Sequence, residues 1–320
     1  MPKTLFVHCR QLLMEAWQVY LTLLKILVPA LLVVEGLIWT GADQALAWLL
    51  APVMGWVGLP VAAGLVWATT LLTNIYAGMV VFFALAPEMP LTTAQVTVLG
   101  TLMIIGHALP VEGAVARKAG APWWLTLLLR VGGAILLAWL LHLVYQTGNW
   151  LQAPNQLAWQ PAPTPSGVVP WLYRQGTMLA TIFAVILGLM VVLRLLRRLG
   201  IERLFHALIY PLLRAIGLGR NAANTTVIGL TLGLSFGAGL LIRDARSGHL
   251  SHRDAVLTLS FLGLCHSLIE DTLLILMLGA DLSGILWARL AFALATMALV
   301  ARLYPTPTAV TSAAASQDWR

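Results

Sequence analysis

Long apolar runs separated by short polar segments make up most of this chain. A helix needs about 20 apolar residues to cross the hydrocarbon core of a bilayer. Eight runs approach or exceed that length: 23–40, 59–86, 92–119, 122–144, 175–195, 221–243, 254–279 and 283–304. The pattern predicts an all-α polytopic membrane protein.

The second half of the chain repeats polar and glycine positions of the first at a fixed offset of 159 residues. The shift places His107 on His266 and Glu112 on Asp271. Further coincidences at the same offset are Gly41 and Gly200, Pro52 and Pro211, Gly58 and Gly217, Gly78 and Gly237, Gly120 and Gly279, and Arg130 and Arg289. Apolar sequence alone does not produce such matches, so the offset predicts an internal duplication.

The positions of Lys and Arg separate crossings from hairpins, because positive charges flank a span on its cytoplasmic side. Both flanks of 59–86 lack Lys and Arg, whereas both flanks of 221–243 are rich in Arg. Each of these runs therefore starts and ends on one side, which predicts re-entrant hairpins with tips at 73–78 and 233–239. Six crossings remain, three in each repeat. An odd number makes the second repeat inverted relative to the first.

The predicted architecture is two inverted repeats, each with three transmembrane helices, a re-entrant helical hairpin and an interfacial amphipathic helix, the last at 43–57 and 202–216. The expected order is an N-terminal amphipathic helix at 1–22, membrane repeat 1 at 23–145, a periplasmic loop at 146–172, membrane repeat 2 at 173–305 and a disordered C-terminal tail at 306–320. We expect a bacterial-type inner membrane location with both termini cytoplasmic.

Composition narrows the class of function. Of the residues, 60% are apolar and 10% are charged, whereas soluble domains carry about 25% charged residues. The net charge of +7 fits positive-inside topology rather than nucleic-acid binding, since the basic residues lie beside the apolar runs. No nucleotide-binding loop, dinucleotide fingerprint or zinc-protease motif occurs. We therefore expect neither enzyme activity nor a cofactor.

Ionisable residues inside the apolar runs form the candidate site, because a charge in a bilayer is costly unless it is paired or hydrated. The candidates are His107 and Glu112 in repeat 1 and His266, Glu270 and Asp271 in repeat 2. Pro110 lies between the two candidates of repeat 1 and predicts a break in their helix. A structural role for the histidines stays open, and so does a divalent-metal site of His107, His266, Glu112 and Asp271.

Two arginines and three neutral residues extend the candidate site. Arg130 and Arg289 lie within apolar helices, where each either forms a salt bridge with a site carboxylate or faces an anionic group of a substrate. Near the hairpin tips, Thr73, Asn74 and Ser235 offer neutral donors and acceptors. These groups either bind a polar solute or satisfy the backbone of the hairpins.

Residues 107–113, followed by 114–121, and residues 266–272 resemble the nucleoside-recognition (Gate) domain of integral membrane proteins. The resemblance covers nearly the whole chain as two Gate-like repeats. That family includes regions of concentrative nucleoside transporters, spore maturation proteins and the channel part of ferrous-iron permeases. The resemblance implies a transporter-like fold.

These observations predict a secondary-transporter-like inner-membrane protein with its site at the repeat interface. The expected cargo is a small polar or anionic solute, nucleoside-like by the resemblance, moved with ion or proton coupling. A divalent-metal permease and a non-transporting membrane scaffold or assembly factor stay open as alternatives. Expected partners are the lipid bilayer and a small-molecule or ion substrate, but no nucleic acid. A homo-oligomer stays open.

Overall fold

The computed structural model describes residues 2–157, 167–232 and 251–303, and the secondary structure of these residues is helical. The α-helices are α1 (Pro2–Thr40), α2 (Ala42–Trp56), α3 (Ala63–Leu72), α4 (Ile75–Leu85), α5 (Thr93–Gly106), α6 (Leu109–Lys118), α7 (Trp123–Leu127), α8 (Gly133–Thr147), α9 (Val168–Arg198), α10 (Ile201–Ala215), α11 (Arg220–Leu232), α12 (His252–Cys265), α13 (Leu268–Leu276) and α14 (Arg289–Leu303). A short 3₁₀ turn, Ala86–Glu88, follows α4. Two π-helical segments, Leu128–Gly132 and Ser283–Ala288, lead into α8 and α14.

Among the described residues, six helical stretches are long and apolar enough to cross a membrane. They are Arg10–Pro29, Thr93–Lys118, Trp123–Thr147, Gln175–Leu196, His252–Leu276 and Ser283–Leu303. At about 1.5 Å of rise per residue, stretches of this length match a hydrocarbon core of about 30 Å. The prediction of an all-α polytopic membrane protein is confirmed.

The predicted N-terminal amphipathic helix and the first predicted span form one continuous helix. Helix α1 runs without a break from Pro2 to Thr40, so no boundary near residue 22 separates an amphipathic helix from a span. Glu15 pairs with Arg194 on α9, and Ala16 and Tyr20 pack around Ile186 of the same helix. The N-terminal part of α1 therefore packs along α9, because its charge and its apolar residues find partners there.

Positions 159 residues apart share local conformation, as a duplication requires. Gly41 and Gly200 are left-handed residues directly before α2 and α10. These two helices have 15 residues each and contain the matching Pro52 and Pro211. The further matched positive-φ glycines are Gly58 with Gly217 and Gly120 with Gly279. The inverted orientation of the second repeat stays a prediction.

The first hairpin consists of α3 and α4, which meet at a break between Thr73 and Asn74. With 10 and 11 residues, each helix is about 15–17 Å long and too short to cross a bilayer. The helices approach closely at Gly78, where a Cβ atom would lie 1.7 Å from the Thr70 hydroxyl. The tip predicted at 233–239, with Ser235, and the tail predicted at 306–320 lie outside the described residues.

Two helices form the centre of the molecule. Residues 96–106 of α5 and 255–265 of α12 are buried along their whole length. Helices that are apolar on every side belong in the interior of a bundle. The two central helices are also those that end at His107 and His266, so the fold brings both candidate segments to its middle.

Candidate functional site

The helix of repeat 1 breaks directly before its proline. Helix α5 ends at Gly106, His107 is extended, and Ala108 has a left-handed backbone with φ of 48°. Pro110 then occupies the first turn of α6, where its missing N–H is not needed for helix hydrogen bonding. The break predicted from the proline is confirmed, and it turns Glu112 in the first turn of α6 back towards the histidine.

The helix of repeat 2 breaks in the same way without a proline. Helix α12 ends at Cys265, His266 is extended, and Ser267 is left-handed with φ of 46°. Helix α13 then begins with Glu270 and Asp271 in its first turn. The same backbone path at both breaks shows that proline is not required, since the left-handed residue alone stops the helix.

The two breaks meet through their histidines. The Nε2 atoms of His107 and His266 are 3.1 Å apart. The Oε1 atom of Glu112 lies 3.2 Å from each of them. Three groups that the sequence separates by up to 159 residues thus form one cluster, which we call the His-Glu cluster (His107, His266 and Glu112).

Hydrogen bonds on the other side of each ring fix its proton. The Nδ1 atom of His107 lies 2.8 Å from the Ile104 carbonyl, and that of His266 lies 2.7 Å from the Leu262 carbonyl. A carbonyl only accepts hydrogen bonds, so each Nδ1 carries hydrogen and each Nε2 of a neutral ring presents a lone pair. Two lone pairs and a carboxylate oxygen then face one another, and a proton on either Nε2 would turn these contacts into hydrogen bonds.

The arginines hold the broken helix ends and the carboxylates. Arg130 donates to Glu112 and to the His107 carbonyl. Arg289 donates to the Leu264 carbonyl at 2.9 Å and the His266 carbonyl at 2.7 Å, and its Nη2 lies 3.7 Å from Asp271. The two side chains are only 1% and 0% exposed. The salt-bridge interpretation is therefore the one observed, although Nε of Arg130 and Nη1 of Arg289 have no hydrogen-bond partner among the described residues.

Glu270 has a different environment from the other two carboxylates. Among the described residues it forms no ion pair, and its Oε1 lies 3.3 Å from the Tyr76 hydroxyl, which donates to it. Tyr76 comes from the first hairpin and was not predicted as a site residue. Its position inside the predicted tip was the available signal, since an aromatic hydroxyl at that depth needs a partner.

The two neutral candidates of the first hairpin serve its own backbone. The Asn74 side chain accepts from the Ala77 N–H at 2.9 Å and caps α4. The Thr73 hydroxyl donates to the Thr69 carbonyl at 2.5 Å. This matches the second of the two predicted roles, satisfaction of the hairpin backbone.

The residues suggested for a metal site do come together. Ligand atoms of His107, His266 and Asp271 all lie within 4.8 Å of one another. Their surroundings fit a divalent ion poorly. With neutral imidazoles, two positive arginines and the three negative carboxylates Glu112, Glu270 and Asp271 give the site a formal charge of −1. One bound proton raises this charge to zero, and one divalent ion raises it to +1. Uncompensated charge at this depth is costly, which favours the proton.

A comparison with known proteins gives one similar sequence. The uncharacterized membrane protein YvoD of Bacillus subtilis (strain 168) is 31% identical over 291 residues, which cover 90% of this chain and 92% of the relative. No family model matches the chain, and no solved structure matches it significantly. The relative supports a membrane location for this chain.

Proposed function

We propose, for a chain that belongs to the same membrane-protein family as YvoD of Bacillus subtilis, a secondary transporter that couples a small polar solute to protons. The observation that carries the proposal is the His-Glu cluster at the contact of two broken helices. Broken helices that meet in the interior are typical of transporter binding sites. Histidine can gain and lose a proton near neutral pH.

The charge of the site supports a proton as the coupling ion. Both imidazoles present Nε2 lone pairs to the Glu112 carboxylate, and one proton between them converts a repulsive contact into hydrogen bonds. The same proton makes the formal charge of the site zero. Loss of that proton on one side of the membrane would destabilise the contact between the two breaks and favour their separation.

The nature of the solute is a further part of the proposal. The resemblance to nucleoside-recognition domains makes nucleosides one class to test. The anionic class is less favoured, because two donor nitrogens of Arg130 and two of Arg289 are directed at carbonyls and carboxylates of the protein, and both side chains are fully buried. We place the protein in a bacterial-type inner membrane with both termini in the cytoplasm, and we assign no catalytic step to it.

Proteoliposomes containing a pH indicator test the proposal. A panel of nucleosides, organic anions and organic cations is added outside, and solute uptake or release and luminal pH are followed together. We expect at least one solute to move protons in the wild type, and His266→Gln to reduce that flux at least tenfold. His142→Gln changes a histidine outside the cluster, so it should keep the wild-type flux.

Melting temperatures of the purified variants separate loss of coupling from loss of folding. The proposal fails if a folded His266→Gln variant retains the proton flux of the wild type. It also fails if solute transport proceeds at the same rate with no accompanying change in luminal pH.

Divalent-cation permeation is the second candidate, because imidazole and carboxylate ligand atoms lie within 4.8 Å of one another. The Nε2 separation of 3.1 Å is close to the ligand separation of about 3.3 Å in a tetrahedral site with bonds of about 2.0 Å. This candidate predicts that Zn²⁺ or Mn²⁺ raises the melting temperature of the wild type and that a chelator reverses the effect. If transport is coupled to protons and no metal ion raises the melting temperature, the divalent-cation candidate is excluded.

A further inference from the structure

Glu270 is the carboxylate of the site that has no cationic partner among the described residues. Glu112 pairs with Arg130, and Asp271 lies beside Arg289. Within the described part of the chain, Glu270 contacts the Tyr76 hydroxyl and no cationic side chain. It is also half-buried, whereas both arginines are fully buried. An incoming positive group can therefore reach this carboxylate more readily than an incoming anion can reach a guanidinium.

A narrow apolar groove lies between α4 and α9, and it shares Tyr76 with the surroundings of this carboxylate. Met79 and Phe83 of α4 form one wall, Met178 and Val185 of α9 form the other, and Met277 lies at one end. Tyr76 lines the groove and also donates to Glu270. Met277 follows Glu270 by seven residues, so both lie on the same face of α13 and its end. Tyr76 is thus the residue that joins the groove to the carboxylate.

We propose that this groove binds an organic cation, with its positive group at Glu270 and its apolar body between α4 and α9. The inference rests on the proposed function, because it names the class of solute that the site would exchange for protons. An organic cation bears one positive charge, as the coupling proton does. A bound organic cation or a bound proton brings the formal charge of the site to zero, whereas both together would bring it to +1. The cation and the proton should therefore exclude each other.

The side chains of the groove suit this class of ligand. Tyrosine and phenylalanine faces attract cations. Methionine is flexible and polarisable, and it adapts to apolar bodies of different shape. A carboxylate at low dielectric interacts more strongly with a cation than it would in water. A neutral lipid chain would use the apolar walls alone, without the carboxylate, and this difference decides the experiment.

Tetraphenylphosphonium and tetraphenylborate are suitable probes, because they have nearly the same shape and opposite charge. Binding of each is measured to the full-length protein in lipid nanodiscs, with empty nanodiscs as background. We expect the wild type to bind tetraphenylphosphonium and Glu270→Gln to bind it at least tenfold more weakly. Val185→Phe narrows the groove and should also weaken binding tenfold.

Two further variants keep the result interpretable. Glu270→Asp preserves the charge and should bind within about threefold of the wild type. Glu88→Gln removes an exposed carboxylate at the end of the same hairpin and should bind like the wild type. Melting temperatures confirm that each variant is folded.

Three outcomes overturn the inference: no binding of tetraphenylphosphonium to the wild type, equal binding of tetraphenylborate, or wild-type affinity in Glu270→Gln. Coupled proton flux with a neutral solute and no tetraphenylphosphonium binding overturns this inference and leaves the proposed function standing. Binding through Glu270 without any proton flux in liposomes supports the site and removes the transport proposal.

Discussion

At the scale of single residues, Ala108 and Ser267 decide where the central helices stop. Both have positive φ, 48° and 46°, in the left-handed region that costs an L-residue with a Cβ about 1–2 kcal/mol. Neither is glycine, so both breaks store backbone strain. Strain of this kind is retained where the surrounding structure fixes the conformation, and here it directs each histidine at the other.

We predict that Ala108→Gly stabilises the protein by about 1 kcal/mol, because glycine adopts this conformation without strain. The same change at Ala114, an exposed helical position of α6, should destabilise it by about 1 kcal/mol. Unfolding of both variants in detergent measures the difference. A loss of stability at Ala108 equal to that at Ala114 would show that no strain is relieved at the break.

At the scale of elements, the α3–α4 hairpin depends on close contact between its helices. Thr70 is fully buried, and its hydroxyl donates to the Val66 carbonyl at 2.8 Å. A Cβ atom added at Gly78 would point at that hydroxyl and at the Met103 side chain of α5. The hairpin also positions Tyr76 against Glu270, so its packing controls one wall of the site.

Gly78→Ala should therefore destabilise the protein by about 1–3 kcal/mol through overpacking and should weaken ligand binding at Glu270. Gly188→Ala is the matched control, since nothing lies within 4 Å of a Cβ at that position of α9. We expect that variant to be as stable as the wild type or up to about 1 kcal/mol more stable. Melting temperatures distinguish the two, and equal behaviour would contradict the close packing of the hairpin.

Much of this arrangement could be predicted from sequence. The fixed offset identified the paired breaks, Pro110 marked the first of them, and Arg130 and Glu112 were expected partners. Contacts without a local signal were missed. The Glu15–Arg194 pair that extends α1 along α9 joins residues 179 positions apart, and the Tyr76–Glu270 contact joins residues 194 apart. The π-helical segments were missed too, because no residue pattern distinguishes them from α-helix.

At the scale of the whole molecule, six candidate spans and one described hairpin predict the side of the membrane on which each loop lies. Arg117 and Lys118 end α6 and should face the cytoplasm by the positive-inside rule. The loop that follows α8 has no Lys or Arg between 146 and 172 and should face the periplasm. With six crossings, we predict that both termini lie on the cytoplasmic side.

Cysteine labelling of cells tests this topology. With Cys9→Ser as background, Ala153→Cys and Lys118→Cys introduce thiols at exposed positions, while the native Cys265 is buried. A maleimide that enters the periplasm but does not cross the inner membrane should label Ala153→Cys in intact cells. It should label Lys118→Cys only after the membrane is opened. Labelling of both in intact cells would contradict the arrangement of spans.

The His-Glu cluster is unequal in its two halves. Glu112 contacts both imidazoles at 3.2 Å, whereas its counterpart Asp271 lies 3.7 Å from Arg289. A transporter built from two identical inverted halves would open to either side with equal free energy. A hydrogen bond to a charged group that forms in only one half contributes about 1.5–3 kcal/mol. It would change the ratio of inward-open to outward-open molecules by roughly tenfold to more than a hundredfold. Divergence after duplication would thus give such a transporter a resting orientation.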